Sequence, residues 1–282
     1  MDLGVTIFLT DQSIDPIELA REVEQRGYSS LWLPEHTHIP TSRRTPAPMG
    51  DPLAEEYRRC LDPFVAMGMI TAVTERLRIG TGIALMAERD PIVTAKEVAT
   101  LDHCSGGRIS LGIGYGWNIE ELENHGGSKK TRRAVVRERV LAMQELWGEE
   151  AASFHGEHVQ MQEAWAWPKP SQSVRGRAGV PVLIGGGAGP ILFEHIAEFA
   201  DGWIPIGGAG VAAAMADLHA AGERVGRAPS DFTVIPFGTL PDQGKLDYYA
   251  TLGITETVLR LPSAGRDEVL ATLDSFDPFL AG

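Results

Sequence analysis

Glu35-His36-Thr37-His38 sets a carboxylate and two imidazoles side by side at the end of an apolar, β-rich run. Imidazole is the side chain whose charge changes most readily near neutral pH. His36 is therefore the candidate proton donor or acceptor, with Glu35 as the carboxylate that fixes its tautomer or orientation. His-x-His is also the spacing of a metal pair, which defines the rival reading of a metal-dependent hydrolase. A metal needs further ligands from other strand ends. The later β-rich runs end mostly in Gly, Pro and apolar residues, so a cofactor- or substrate-facing His36 is preferred, with a histidine satisfied inside the core as the plain alternative.

Two glycine-rich turns form the second set. Gly112-Ile-Gly-Tyr-Gly-Trp117 contributes Gly112, Gly114 and Gly116, and Gly185-Gly-Gly-Ala-Gly189 contributes Gly185, Gly186 and Gly187 before a helical pattern opens at Pro190. Glycine lets backbone N–H groups approach an anion closely, and a helix start adds positive potential. Each alone reads equally as a tight turn, but two at one rim could clamp a phosphate from both sides. A dinucleotide-binding reading of the first is poorer, because no strand ending in an acidic ribose ligand follows about 20 residues on. Lys129, Lys130, Arg132 and Arg133 crowd the next helix start. They are either a solvated helix start or a landing patch for an extended anion. Gly80 and Gly82 interrupt the apolar run Leu77–Leu85, which implies a bulge or a flat ligand lying against the backbone. Trp117, Trp165 and Trp167 either wall an apolar site or pack an insertion onto the body. No Ser-His-Asp or Cys-His arrangement stands out, and Cys104 reads as core. Chemistry without a nucleophile or metal points to a borrowed cofactor.

These residues need a frame. Strand-like runs at Leu3–Leu9, Ser29–Pro34, Leu77–Leu85, Arg108–Ile113, Pro181–Ile184, Gly202–Ile206, Phe232–Phe237 and Thr255–Leu261 alternate with helical patterns near 15–27, 62–75, 91–104, 131–147, 190–200, 210–225, 243–252 and 266–280. Asp15-Pro16, Asp62-Pro63 and Asp90-Pro91 each give an N-cap acceptor followed by a residue that lacks the N–H a helix start cannot use. Strands that alternate with helices form parallel sheets, and eight such units close as a single-domain (β/α)8 TIM barrel over 1–282. The connections 36–61 and 114–180 exceed what a barrel needs. They follow strands two and four at the C-terminal rim, where barrel enzymes place their sites. With 25 Lys+Arg against 38 Asp+Glu, the net charge of -13 argues against nucleic-acid or membrane-surface partners. Two cysteines, no evident signal peptide and no long apolar span fit a cytoplasmic protein acting on a small molecule.

Several blocks together resemble the bacterial-luciferase-like flavin and deazaflavin oxidoreductases. They are Ala99-Thr-Leu-Asp-His-Cys-Ser-Gly-Gly-Arg108 with Leu111–Trp117, Leu31-Trp-Leu-Pro-Glu-His36, Leu77–Leu85, Phe154-His-Gly-Glu157, Trp167-Pro-Lys-Pro170, Leu183–Gly187 and Ala200-Asp-Gly-Trp203. They keep the family's order from about residue 3 to 262. The resemblance implies a barrel with the coenzyme ring at its mouth, facing Thr81 and Gly82 near a non-prolyl cis peptide at Thr81–Ile83. It implies phosphate contacts at Gly114, Gly116 and Gly185–Gly187, and a His36 beside the reactive ring. The branch it resembles most uses coenzyme F420, a deazaflavin with an acidic tail that suits Lys129–Arg133, and FMN is the alternative. Relatives often pair as homodimers. Deazaflavin-dependent glucose-6-phosphate dehydrogenases carry a Glu where this chain has Trp117, which speaks against a sugar phosphate. The expected activity is hydride transfer between F420 and a small organic substrate. An FMN-dependent monooxygenase is the alternative, and a cofactor-binding protein without turnover stands outside both.

Overall fold

The structure is a computed structural model and describes residues 1–280. In chain order the first half runs β1 (Asp2–Thr6), α1 (Pro16–Arg26), β2 (Ser30–Leu33), α2 (Glu56–Arg59), α3 (Pro63–Thr71), β3 (Arg78–Thr81), β4 (Ala84–Leu85), α4 (Pro91–Ser105), β5 (Ile109–Gly114), α5 (Ile119–Asn124) and α6 (Arg132–Gly148). Two short hairpins follow, β6 (Ala152–His155) with β7 (Gln160–Ala164) and β8 (Ser173–Val174) with β9 (Arg177–Ala178). The chain then returns to alternation: β10 (Val182–Gly185), α7 (Pro190–Phe199), β11 (Gly202–Ile204), α8 (Val211–Glu223), β12 (Thr233–Val234), β13 (Phe237–Thr239), α9 (Gln243–Thr251), β14 (Glu256–Arg260) and α10 (Arg266–Phe276).

Local chemistry sets the helix starts. Asp15 accepts from the N–H groups of Ile17 and Glu18, Asp62 from Val65, and Asp90 from Ile92 and Val93, each ahead of a proline. These bonds satisfy donors that no helical turn can reach. No helix among the described residues is long and apolar enough to cross a membrane.

The result is an α/β fold on a parallel sheet. Its strands pair in the order β12-β11-β10-β5-β3-β2-β1-β14-β13, with β4 against β5. The short segment 233–239 supplies both ends of that path, and Phe237 also bridges in parallel to Ile206 just past β11. Side chains alternate across each strand. Leu31 and Leu33 of β2 join the large core beneath the helices, whereas Trp32 joins a separate cluster with Leu183, Ile204, Ile235, Phe237 and Val258 on the other face of the sheet. Because the strands run parallel, their C-terminal ends share one rim. That rim carries His36 after β2, Ile83 after β3, Tyr115–Trp117 after β5 and Gly186–Gly189 after β10.

Candidate functional site

His36 is held from both sides. Its Nδ1 lies 2.7 Å from Glu121 Oε2 on α5, and its Nε2 accepts the Trp117 indole N–H at 3.2 Å. These partners assign a neutral ring with the proton on Nδ1. The other Glu121 oxygen accepts the Thr37 N–H at 3.1 Å, and the carboxylate is fully buried. Tyr57 on α2 stands 5.3 Å from the imidazole and 6.0 Å from Trp117, with Phe8 4.8 Å beyond it. The insertion after β2 thus folds back to complete an aromatic wall beside His36.

Glu35, expected to orient His36, is committed elsewhere. It accepts the Leu85 N–H at 2.7 Å and Arg89 Nε at 2.6 Å, and Arg89 also binds Asp62 at 2.7 Å. Glu35 therefore ties the end of β2 to β4, and Glu121 is the carboxylate on the imidazole. No local spacing announces that pairing, because the two residues stand 85 positions apart. His38 does not converge with His36 as a metal pair would. Its nitrogens meet Thr37 Oγ1 at 2.9 Å and Asn124 Nδ2 at 2.8 Å.

The glycines separate into two groups. A Cβ on Gly112 would sit 2.1 Å from the Thr81 carbonyl oxygen, and one on Gly114 or Gly185 would meet the Ile83 side chain at 2.4 or 2.8 Å. These three make room for the end of β3 and for Ile83 just after it, so packing alone accounts for their missing side chains. Gly80 and Gly82, read as marking a bulge or a flat ligand against the backbone, take this chain's own rings where a Cβ would project. Trp32 would be 2.5 Å and Phe237 2.3 Å from the added Cβ. Thr81 is fully buried and donates its hydroxyl to the Gly112 carbonyl at 2.7 Å. The peptide bond between Gly82 and Ile83 is cis, where the resemblance puts one.

Gly187 and Gly189 are open to the rim. Gly116 has φ +77°, and nothing lies within 4 Å of a Cβ on Gly187 or Gly189. Gly186 donates its N–H to Ile204, but the N–H groups of Gly187, Ala188 and Gly189 have no backbone partner among the described residues. Helix α7 starts at Pro190 with no side-chain cap. An uncapped start with free amides is the kind of helix end that can hold an anion.

The cations flank it unequally. Arg132 donates to the Gly116 carbonyl at 2.8 Å, and Arg133 lies over the Tyr115 ring at 5.6 Å. Tyr115 reaches across to α7, its hydroxyl 2.8 Å from His195 Nδ1. Burial pushes the Tyr115 phenol up to about 12 and lowers His195, so both stay neutral at this contact. Lys129 and Lys130 remain exposed in the turn before α6. Of the tryptophans, Trp117 lines the site, while Trp165 and Trp167 are 79% and 61% exposed and do neither job expected of them. Cys104, expected in the core, is exposed on α4.

A sequence model of the family described as luciferase-like monooxygenase matches residues 12–240. An uncharacterized protein of Mycobacterium tuberculosis is 38% identical over 294 residues, spanning 100% of this chain and 99% of its own. An F420-dependent glucose-6-phosphate dehydrogenase of Amycolatopsis mediterranei is 28% identical over 201 residues, covering 70% of this chain and 54% of its own. Two solved structures share the fold. A monooxygenase from Streptomyces bottropensis has a TM-score of 0.78 at 18% identity, over 100% of this chain and 99% of its own. An F420-dependent secondary alcohol dehydrogenase in complex with an F420-acetone adduct has a TM-score of 0.77 at 16% identity, over 99% and 98%.

Proposed function

The chain belongs to the luciferase-like monooxygenase family, and from that premise we propose that it is a deazaflavin-dependent oxidoreductase acting on a small, apolar organic substrate. One observation carries the reading. A neutral imidazole, braced by a buried carboxylate, stands on the same rim as an uncapped helix start with free amides. The residues fit an anionic redox coenzyme, since Gly187 and Gly189 leave open the space that a Cβ would take beside those amides. We read the sheet as a closed (β/α)8 barrel, supported by the segment that stands at both ends of the strand order.

When bound, the coenzyme supplies the hydride donor or acceptor. The chain's own residues do the rest. Gly187–Gly189 and the α7 start bind the phosphate, and Gly116 lets the β5 turn pass close by. Lys129, Lys130 and Arg133 extend positive charge past a single phosphate, which favours a tailed deazaflavin over FMN. Phe8, Tyr57 and Trp117 exclude water and present apolar faces to the substrate. A substrate hydroxyl reaches His36 Nε2 by taking the place of the Trp117 N–H, and the imidazole then accepts its proton. Glu121 keeps the ring oriented and offsets the charge. In the reverse direction the same nitrogen donates.

Quenching titrations with F420 and with FMN test the proposal. F420 should bind more tightly, with affinity that falls as salt rises. His36→Ala should abolish most hydride transfer and leave F420 affinity within severalfold. Tight FMN binding without affinity for F420 overturns the coenzyme assignment in favour of the monooxygenase reading, and unchanged turnover removes His36 from the mechanism.

A further inference from the structure

Three carboxylates in this molecule are plainly structural, Glu138 and Asp102 buried and Glu24 half-buried. Glu24 accepts the N–H groups of Glu75, Arg76 and Leu77, Glu138 those of Glu157, His158 and Val159, and Asp102 those of Ser171 and Gln172. Glu88 breaks the pattern. Its side chain is 1% exposed, and neither oxygen has a hydrogen-bond partner among the described residues. A carboxyl that braces nothing, in a site dry enough to penalise its charge, needs another explanation.

Its surroundings supply one. Glu88 lies behind the β5 turn, where a Cβ on Gly116 would stand 3.3 Å from Oε1. Burial, then the like charges of Glu121 on α5 and Glu35 after β2, push its carboxyl up to about 8, with Arg139 on α6 opposing. Glu35 pairs with Arg89, and Glu121 is tied to the same corner through Thr37, whose N–H it accepts at 3.1 Å and whose Oγ1 lies 2.8 Å from His125 Nε2. His125, at the end of α5, faces Glu88 Oε2 across 3.8 Å with that same Nε2, its ring 29% exposed. Burial, then the neighbouring His38, hold His125 toward its neutral form, so it can accept a proton and pass it to water.

We propose that Glu88 is the second member of a charge-sharing carboxyl pair with Glu121 behind His36, releasing its proton through His125 when His36 takes one up. The inference rests on His36 handling the substrate proton. An O–H bond forms at Glu88 when the site returns to rest and breaks when His36 Nε2 gains the substrate proton. The released proton goes to His125 Nε2, the Thr37 hydroxyl turning from that nitrogen to His38 Nδ1 so that Nε2–H donates to its oxygen, and the opposite ring nitrogen loses one to water. No electrons move among these groups. The buried cluster therefore keeps one net negative charge throughout. Protonated His36, 2.7 Å from Glu121, offsets the field that keeps Glu88 neutral. Glu88 is a positioning residue for charge and touches no substrate.

Isotope-edited infrared spectroscopy of the coenzyme-free protein tests the pair directly, the protonated Glu88 band being assigned by its loss in Glu88→Gln. The band should be present near neutrality and titrate away around pH 8. In Glu121→Gln the midpoint should fall. Should that variant not fold, His125→Gln, at an exposed ring, should slow proton release after a pH jump severalfold. A band absent near neutrality, a midpoint indifferent to Glu121, or release indifferent to His125 overturns the proposal. During turnover with F420, Glu88→Gln should flatten the alkaline change in kcat and leave KM unchanged, and Glu88→Asp should restore it. A protein that turns over no deazaflavin substrate refutes the functional reading, while the infrared titration still decides the pair.

Discussion

Glu88→Gln should stabilise this protein by an amount that grows with pH. In the unfolded chain the carboxyl titrates at its ordinary value of 4.5, and in the folded protein burial moves it up to about 8. Below 4.5 both states hold the proton, so this group adds no pH-dependent cost. Between the two values folding must take a proton up, and stability falls as pH rises until it passes the folded value. Integrating that linkage, the cost is roughly 0.8 kcal/mol at pH 5 and roughly 3.4 kcal/mol at pH 7. Gln has nearly the same shape and the same lack of partners but cannot ionise, so the burial cost common to both side chains cancels in the comparison. Urea denaturation at the two pH values, with unchanged m, should show the stability gap between variant and wild type widening by about 2.5 kcal/mol. A gap that stays constant within about 0.5 kcal/mol would mean that Glu88 titrates as an exposed carboxyl. A gap that narrows would reverse the sign of the argument.

Other perturbations separate packing glycines from binding ones. Gly112→Ala drives a Cβ to 2.1 Å from the Thr81 carbonyl oxygen, a backbone atom that cannot swing away; denaturation should show a loss of about 1–3 kcal/mol. Gly187→Val meets nothing within 4 Å of its Cβ position, so stability should hold within about 0.5 kcal/mol while F420 affinity falls, and unchanged affinity would remove this turn from the site. Replacing Lys129 and Lys130 with Ser should weaken F420 binding most at low salt, whereas a salt-independent loss would assign them another role. Trp117→Phe keeps an aromatic face but removes the N–H on His36 Nε2; acylation of that ring by a small electrophilic probe should quicken, and an unchanged rate would mean the indole does not guard Nε2.

The frame was readable because it rests on local rules. The Asp-Pro helix starts, the apolar runs of β1, β2 and β5, and the helical pattern near 131–147 each announce an element without reference to the rest of the chain. The place of His36 on the rim was legible for the same reason, since its type and its position after β2 lie close together in sequence. Its partner was not, because Glu121 reaches it only once α5 folds across the mouth. Glycines are ambiguous for a specific reason. A missing Cβ looks the same whether the space is taken by a ligand or by Ile83, Trp32 or Phe237, and only the folded neighbours decide. On α4 the expectation inverted. Asp102 is buried, because the 171–172 backbone and Gln172 satisfy it, while the neighbouring Cys104 turns to solvent.

A crystal structure of the protein grown with F420 bears most directly on the central assignment. It should place the phosphate against the amides of Gly187–Gly189 at the start of α7, with the tricyclic ring beside His36 and the acidic tail toward Lys129 and Lys130. A coenzyme seated away from α7, or a ring out of reach of His36, would contradict it.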